Sequence, residues 1–231
     1  MAWAVLLQEE IPKKMSTTAE HAYRSLRKMV VKGELSAGQR VSQVRIARQL
    51  GCSTVPVVEA LRRLESEGVL VKEPRKMARV RVLDPDELEG LYLARQALEM
   101  VAAKLCAKRI KEEEIEPLKQ LVARLEVAAE KRDFAECDHL DMELHHYIVR
   151  CANCPLVEQE LSRLMLIERT IPSPYPESFD WGRYYASHNA IVHAIAHHDA
   201  DSAEYLMKKH IEVGYEESLG SAHEPLDPTR N

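Results

Sequence analysis

Gly51 to Leu70 reads GCSTVPVVEALRRLESEGVL. The opening glycine suits the position after a helix, where a left-handed backbone costs little. Ser53 is a natural N-cap, and Pro56 is tolerated in the first turn that follows. Val57, Ala60, Leu61 and Leu64 then recur at helical spacing, and Gly68 closes the run. A turn followed by a short amphipathic helix is the frame of a DNA-reading helix. The positions that would meet DNA carry Thr54, Val55 and Val58, with no charge among them.

The flanks complete a larger unit. Tyr23 to Val31 has apolar residues at Leu26, Met29 and Val30, a short helix broken by Gly33 to Gly38. Ser42 to Leu50 reads as a second helix, with Val44, Ile46, Ala47 and Leu50 available for packing. Downstream, Val69 to Val71 and Ala78 to Val82 read as strands, and Glu73 to Met77 can turn between them. Helix, helix, turn, helix and hairpin make a winged helix-turn-helix over residues 16–83, behind an N-terminal extension of residues 1–15. Arg45, Arg48, Arg62, Arg63, Arg75, Lys76 and Arg79 suit phosphate contacts. A winged helix can also serve as a protein-contact module.

Charge divides the 231-residue chain at the same place. Lys13 to Leu83 holds 16 Lys and Arg against 6 Asp and Glu, whereas Asp84 to Asn231 holds 16 against 29. A basic first third on an acidic remainder points to two domains, the first meeting a polyanion. Five cysteines without a disulfide-scaffold spacing suggest reduced thiols and a cytoplasmic protein. Cys151 and Cys154 form a lone CxxC, which suits loop packing as well as it suits zinc. MAWAVLLQEE lacks the basic start of a signal peptide, and no run is long enough to span a bilayer.

Here the first domain resembles a known family. The run IARQLGCSTVPVVEALRRLESEGVLVKEP is similar to the N-terminal domain of GntR-type transcription regulators. Ala47, Leu50, Gly51, Ser53, Pro56, Val57, Glu59, Ala60, Leu61, Leu64, Glu67 and Gly68 carry the match. The resemblance implies operator DNA as partner, with Ser53, Thr54, Val55 and Val58 facing it beside Arg45, Arg48, Arg62, Arg75, Lys76 and Arg79. Two departures matter. The family's recognition-helix arginines are Thr54 and Val58 here, and its wing-tip glycine is missing from Pro74-Arg75-Lys76-Met77. Apolar side chains can meet thymine methyls but cannot pair bidentately with guanine, a contact worth roughly 1–3 kcal/mol of discrimination. Two readings stay open: a DNA binder with an altered code, or a module that no longer binds DNA.

Residues 84–217 read as an all-α helical bundle, followed by a tail over residues 218–231. Asp84-Pro85-Asp86-Glu87 starts a helix to about Ile110, with Leu88, Leu91, Tyr92, Leu98, Ala102 and Leu105 as its stripe. Arg95 falls on that stripe, with Glu99 one turn on. A second helix spans about Glu113 to Lys131. A third opens at Asp133-Phe134-Ala135-Glu136 and packs Phe134, Cys137, Leu140, Leu144, Ile148 and Cys151. Asp141 lies inside that face and His145 on its edge, at the spacing that lets two side chains grip one ion. His139 and His146 are expected on the other side. His188 sits amid Trp181, Tyr184, Ile191, Val192 and Ile195, with His193 and His197 opposite. His210 falls among Ala203, Leu206 and Val213 on a last helix capped at Asp201-Ser202-Ala203-Glu204.

One acid and three histidines on inward faces call for a partner, since a buried carboxylate is costly alone. The pattern by itself leaves a divalent metal (Zn, Ni, Mn or Fe) and an Asp–His hydrogen-bond network equally open. LYLARQALEMVAA (Leu91 to Ala103), Asp141 to His145, SHNAIVHAI (Ser187 to Ile195) and His210-Ile211 resemble the FCD effector domain of the FadR-like branch. That resemblance implies a divalent cation held by Asp141, His145, His188 and His210. It also implies a carboxylate-type effector metabolite facing Arg95, with Glu99 beside it; an internal Arg95–Glu99 pair is the alternative. Together these expectations describe a mainly α, homodimeric transcription regulator, most simply a repressor. The rivals are a metal-dependent enzyme acting on a small carboxylate, and a sensor whose winged helix has lost DNA binding.

Overall fold

The computed structural model describes residues 18–72, 76–171 and 181–222. Contacts divide the chain into two compact units: Met1–Pro85 with Arg163–Pro172, and Asp86–Ser162 with Ser173–Asn231.

The first unit is built on α1 (Thr18–Val31), α2 (Gln43–Leu50) and α3 (Thr54–Ser66). The first helix starts before Tyr23 because Ala22 belongs to its buried side, with Tyr23, Leu26, Met29 and Val30. Ser42 caps α2 by accepting from the Arg45 amide at 3.3 Å. Gly51 ends it at φ 64°, its N–H turned back to the Ala47 and Arg48 carbonyls. Ser53 occupies the N-cap of α3 with an extended backbone, but its side chain makes no capping hydrogen bond. Its hydroxyl is thus left for other partners. Helix α1 packs across α3, and Val57, Ala60, Leu61 and Leu64 form the buried side of α3.

The hairpin is shorter than the alternation predicts. Strands β1 (Leu70–Val71) and β2 (Arg79–Val80) pair antiparallel, Leu70 opposite Val80. The segment before α2 joins them, a feature the sequence reading lacks. The Val80 amide donates to the Gln39 carbonyl at 2.9 Å, and the Val41 amide to the Ala78 carbonyl at 2.8 Å. At the wing tip, residues 73–75, Arg75 among them, lie outside the described residues.

The other helices are α4 (Pro85–Arg109), α5 (Glu112–Glu130), α6 (Phe134–Cys151), α7 (Pro155–Glu168), α8 (Trp181–Ala196) and α9 (Ala200–Ala222). Helix α5 packs against α6 and α8, and α8 against α9. Lys104 of α4 pairs with Glu204 of α9 at 2.6 Å, and Arg109 donates to the Ala152 carbonyl after α6 at 2.7 Å. Three expectations change. Helix α7 was not anticipated, although Leu161, Leu164 and Met165 are buried at helical spacing. The cap of α9 is Asp199, which accepts from the Ser202 amide at 3.1 Å, and not Asp201. Residues 218–222, expected in a tail, continue α9. Ile171-Pro172-Ser173-Pro174-Tyr175-Pro176, which the sequence suggests as a proline-rich connection between helices, lies outside the described residues from 172 onward. No helix among the described residues is long and apolar enough to cross a membrane.

Candidate metal centre and DNA-reading surface

Helices α6, α8 and α9 bring Asp141, His145, His188 and His210 together. All four are buried, and one ligand atom from each lies within 4.8 Å of the others. Asp141 and His145 meet because they are one turn apart on α6; His188 and His210 arrive from two further helices. His188 Nε2 stands 2.7 Å from Asp141 Oδ1, and His145 Nε2 stands 3.0 Å from His210 Nε2.

The far side of each imidazole is anchored. His145 Nδ1 contacts the Glu99 carboxylate, and His188 Nδ1 lies 3.1 Å from the Tyr184 carbonyl. Both partners only accept, so both Nδ1 atoms carry the proton. His210 Nδ1 meets Ser187 Oγ at 2.8 Å, and that hydroxyl already donates to the Tyr184 carbonyl at 2.5 Å. Ser187 therefore accepts from His210 Nδ1. Three rings held this way turn three Nε2 atoms inward, the tautomer a metal site needs.

The centre calls for a cation. Asp141 Oδ1 and His188 Nε2 are buried 2.7 Å apart and have no other hydrogen-bond partner. Burial opposes ionisation of Asp141, yet His145 and His188 outweigh it and hold its carboxyl well below the usual range. Burial, His188 and His145 together push His210 well below an ordinary histidine. Burial also lowers His145, but Glu99 and Asp141 outweigh it and leave its pKa raised. One carboxylate, three imidazole nitrogens and two buried atoms that face only each other fit a divalent metal.

Arg95 and Glu99 lie beside this centre on α4. Arg95 Nε and Nη2 both reach Glu99 Oε1, at 2.9 and 2.8 Å, and Glu99 reaches His145 with its other oxygen. Burial works against the Glu99 charge, but Arg95 and His145 prevail and set its pKa at about 2. The internal Arg95–Glu99 pair weighed from the sequence thus exists. Glu99, placed with the effector by the sequence reading, is found bridging Arg95 to His145, one of the candidate ligands. The anchors Ser187 and Tyr184 escaped the sequence reading, though Ser187 directly precedes His188. His146 was expected outward and is buried. Cys151 closes α6 and Cys154 precedes α7; neither joins the ligand cluster.

On the first unit, Thr54 and Ser53 are exposed, Val55 is 64% exposed, and Val58 is half-buried. Arg45, Arg48, Arg62 and Lys76 are exposed around them, and Arg79 is half-buried in the wing. Arg63 is committed elsewhere. It pairs with Glu20 at 2.9 Å and stacks 3.6 Å over the Tyr23 ring, joining α3 to α1.

A winged helix with a basic reading side, joined to a helical unit around an Asp–His cluster, defines a two-part DNA-binding regulator. Comparison with known proteins agrees. Residues 18–80 match the bacterial regulatory proteins of the gntR family, and residues 90–213 match the FCD domain. An HTH-type transcriptional regulator of Agrobacterium vitis is 31% identical over 134 residues, covering 57% of this chain and 78% of the relative. The transcriptional repressor RspR of Escherichia coli is 24% identical over 197 residues, covering 84% and 85%. The solved structure of E. coli McbR/YncC superposes with a TM-score of 0.78 at 20% identity, over 90% of this chain and 100% of that one. The chain belongs to the GntR family and is a DNA-binding transcription regulator with an FCD domain. Its relatives regulate transcription and are not enzymes.

Proposed function

We propose that this protein is a cytoplasmic, homodimeric repressor whose helical unit holds a divalent metal and binds a small carboxylate that releases the operator. The convergence of three anchored Nε2 atoms on the Asp141 carboxylate carries this reading. Zn, Ni, Mn and Fe all suit that ligand set. The metal would supply a fixed positive charge inside the bundle. Arg95 supplies a second one, a guanidinium fork matched to a carboxylate. An effector carboxylate would compete with Glu99 for that fork, and so couple occupancy to the hold on His145. RspR is named a repressor, which supports repression as the resting arrangement. Arg45, Arg48, Arg62, Arg75, Lys76 and Arg79 would hold phosphates, and a two-fold dimer would match a two-fold operator.

The test is a fluorescence-anisotropy titration of the protein against DNA from upstream of its own coding sequence. It is run after metal loading and after chelation, with a panel of small carboxylates. Release of DNA by one carboxylate, only from the metal-loaded protein, is the expected result. A protein that keeps no metal after dialysis and ignores every carboxylate would refute the reading.

A further inference from the structure

The first two turns of α3 present a surface that reads DNA only in a restricted way. The N-terminal residues of a recognition helix meet base edges in the major groove. The residues of those turns left uncovered are Thr54, Val55, Val58 and the acidic Glu59, which cannot donate to a base; among the first three, Thr54 alone has a polar side-chain atom. Val55 is 64% exposed, and Val44 and Met77 are exposed at 55% and 50%. Val44, Val58, Arg62, Lys72, Lys76 and Met77 line one groove beside α3. An exposed apolar strip inside a basic rim fits a polyanion with methyl groups on its floor better than it fits an apolar protein. In the major groove the one apolar group a base offers is the 5-methyl of thymine.

We infer that the operator half-site is read through thymine methyls, which pack against Val55 and Val58, with Thr54 adding one hydroxyl contact. The inference rests on DNA binding by this unit and adds the code it uses. It also says what the code lacks: none of these three positions can pair bidentately with guanine, so guanine at the contacted steps gains nothing.

The experiment begins with selection of the best duplexes from a random library by the full-length protein. Each thymine of the selected half-site is then replaced by deoxyuridine, which keeps base pairing and loses only the methyl. Affinity should fall about fourfold for each contacted methyl removed, the scale of one buried carbon. Val55→Ala should bind the thymine duplex more weakly and lose its sensitivity to deoxyuridine at one position. Val55 is exposed, so its melting temperature should not move. Val58→Arg should shift selection toward guanine. An enriched half-site whose affinity ignores the methyls would overturn the inference and leave DNA reading intact. Binding with a steep salt dependence and no enrichment would overturn it too, showing phosphate grip alone. If no duplex binds, the premise itself fails. Self-association lost in Val55→Glu would then assign the strip to a second copy of the chain.

Discussion

Glu99 is held by two partners at once, and that makes it the most informative single residue. Its carboxylate fixes the tautomer of His145 and balances the buried charge of Arg95. Anchors of this kind commonly contribute 10–100-fold in metal affinity. Glu99→Gln, which keeps the shape and removes the charge, should weaken metal binding by roughly that factor, read by competition with a chromophoric chelator. Unchanged affinity would mean that the anchor of His145 needs no charge. Ser187→Ala should act in the same direction through His210 and more weakly, since a neutral hydroxyl is replaced. Asp141→Asn removes the one anionic candidate ligand, so if the proposed metal is held there it should abolish stoichiometric metal on a dialysed sample, measured by elemental analysis.

At the scale of elements, the boundaries carry the testable energetics. Gly51 sits at φ 64° with open space where a Cβ would stand, so Gly51→Ala adds backbone strain without a clash. It should destabilise the winged helix by about 1 kcal/mol in urea unfolding. Helix α9 offers a paired comparison. Asp199→Ala removes the observed cap and should cost about 1 kcal/mol. Asp201→Ala loses an exposed pair with Lys104 and should cost less than that. A larger cost at Asp201 than at Asp199 would return the cap to Asp201. The confusion arises because both aspartates stand three residues before a plausible partner, Ser202 or Glu204. Only the backbone path decides which one ends the preceding turn. Helix α7 was missed for a related reason: its apolar residues cluster in its second half, after the polar run of Glu158 to Glu160.

For the whole molecule, division into two units predicts that metal acts on one of them. A ligand bound only by the folded state stabilises it by about 2.7 kcal/mol at a hundredfold excess over its Kd. Chelation should therefore lower the thermal transition of the helical unit and leave that of the winged helix in place, seen as two resolved calorimetric transitions. A single transition that shifts as one would mean the units unfold together. Affinity for operator DNA should fall steeply between 50 and 200 mM salt, because the basic rim acts by displacing counterions.

Apart from α7, the order of elements was legible in the sequence, because apolar spacing, caps and glycines act within a few residues of the chain. So were Asp141, His145, His188 and His210: polar residues on an apolar stripe stand out wherever the stripe is regular. The resemblance in Gly51 to Leu70 was equally open to reading, since a helix-turn-helix is a local arrangement. What the tertiary structure alone decided depends on side chains far apart in sequence. It set the direction of three imidazoles through Glu99, Ser187 and the Tyr184 carbonyl. It tied Arg63 to Glu20 and Tyr23, joining α3 to α1. It also added the segment at Gln39 to the hairpin. Periodicity says which face a residue lies on; which atom meets which across helices is fixed only when the helices pack.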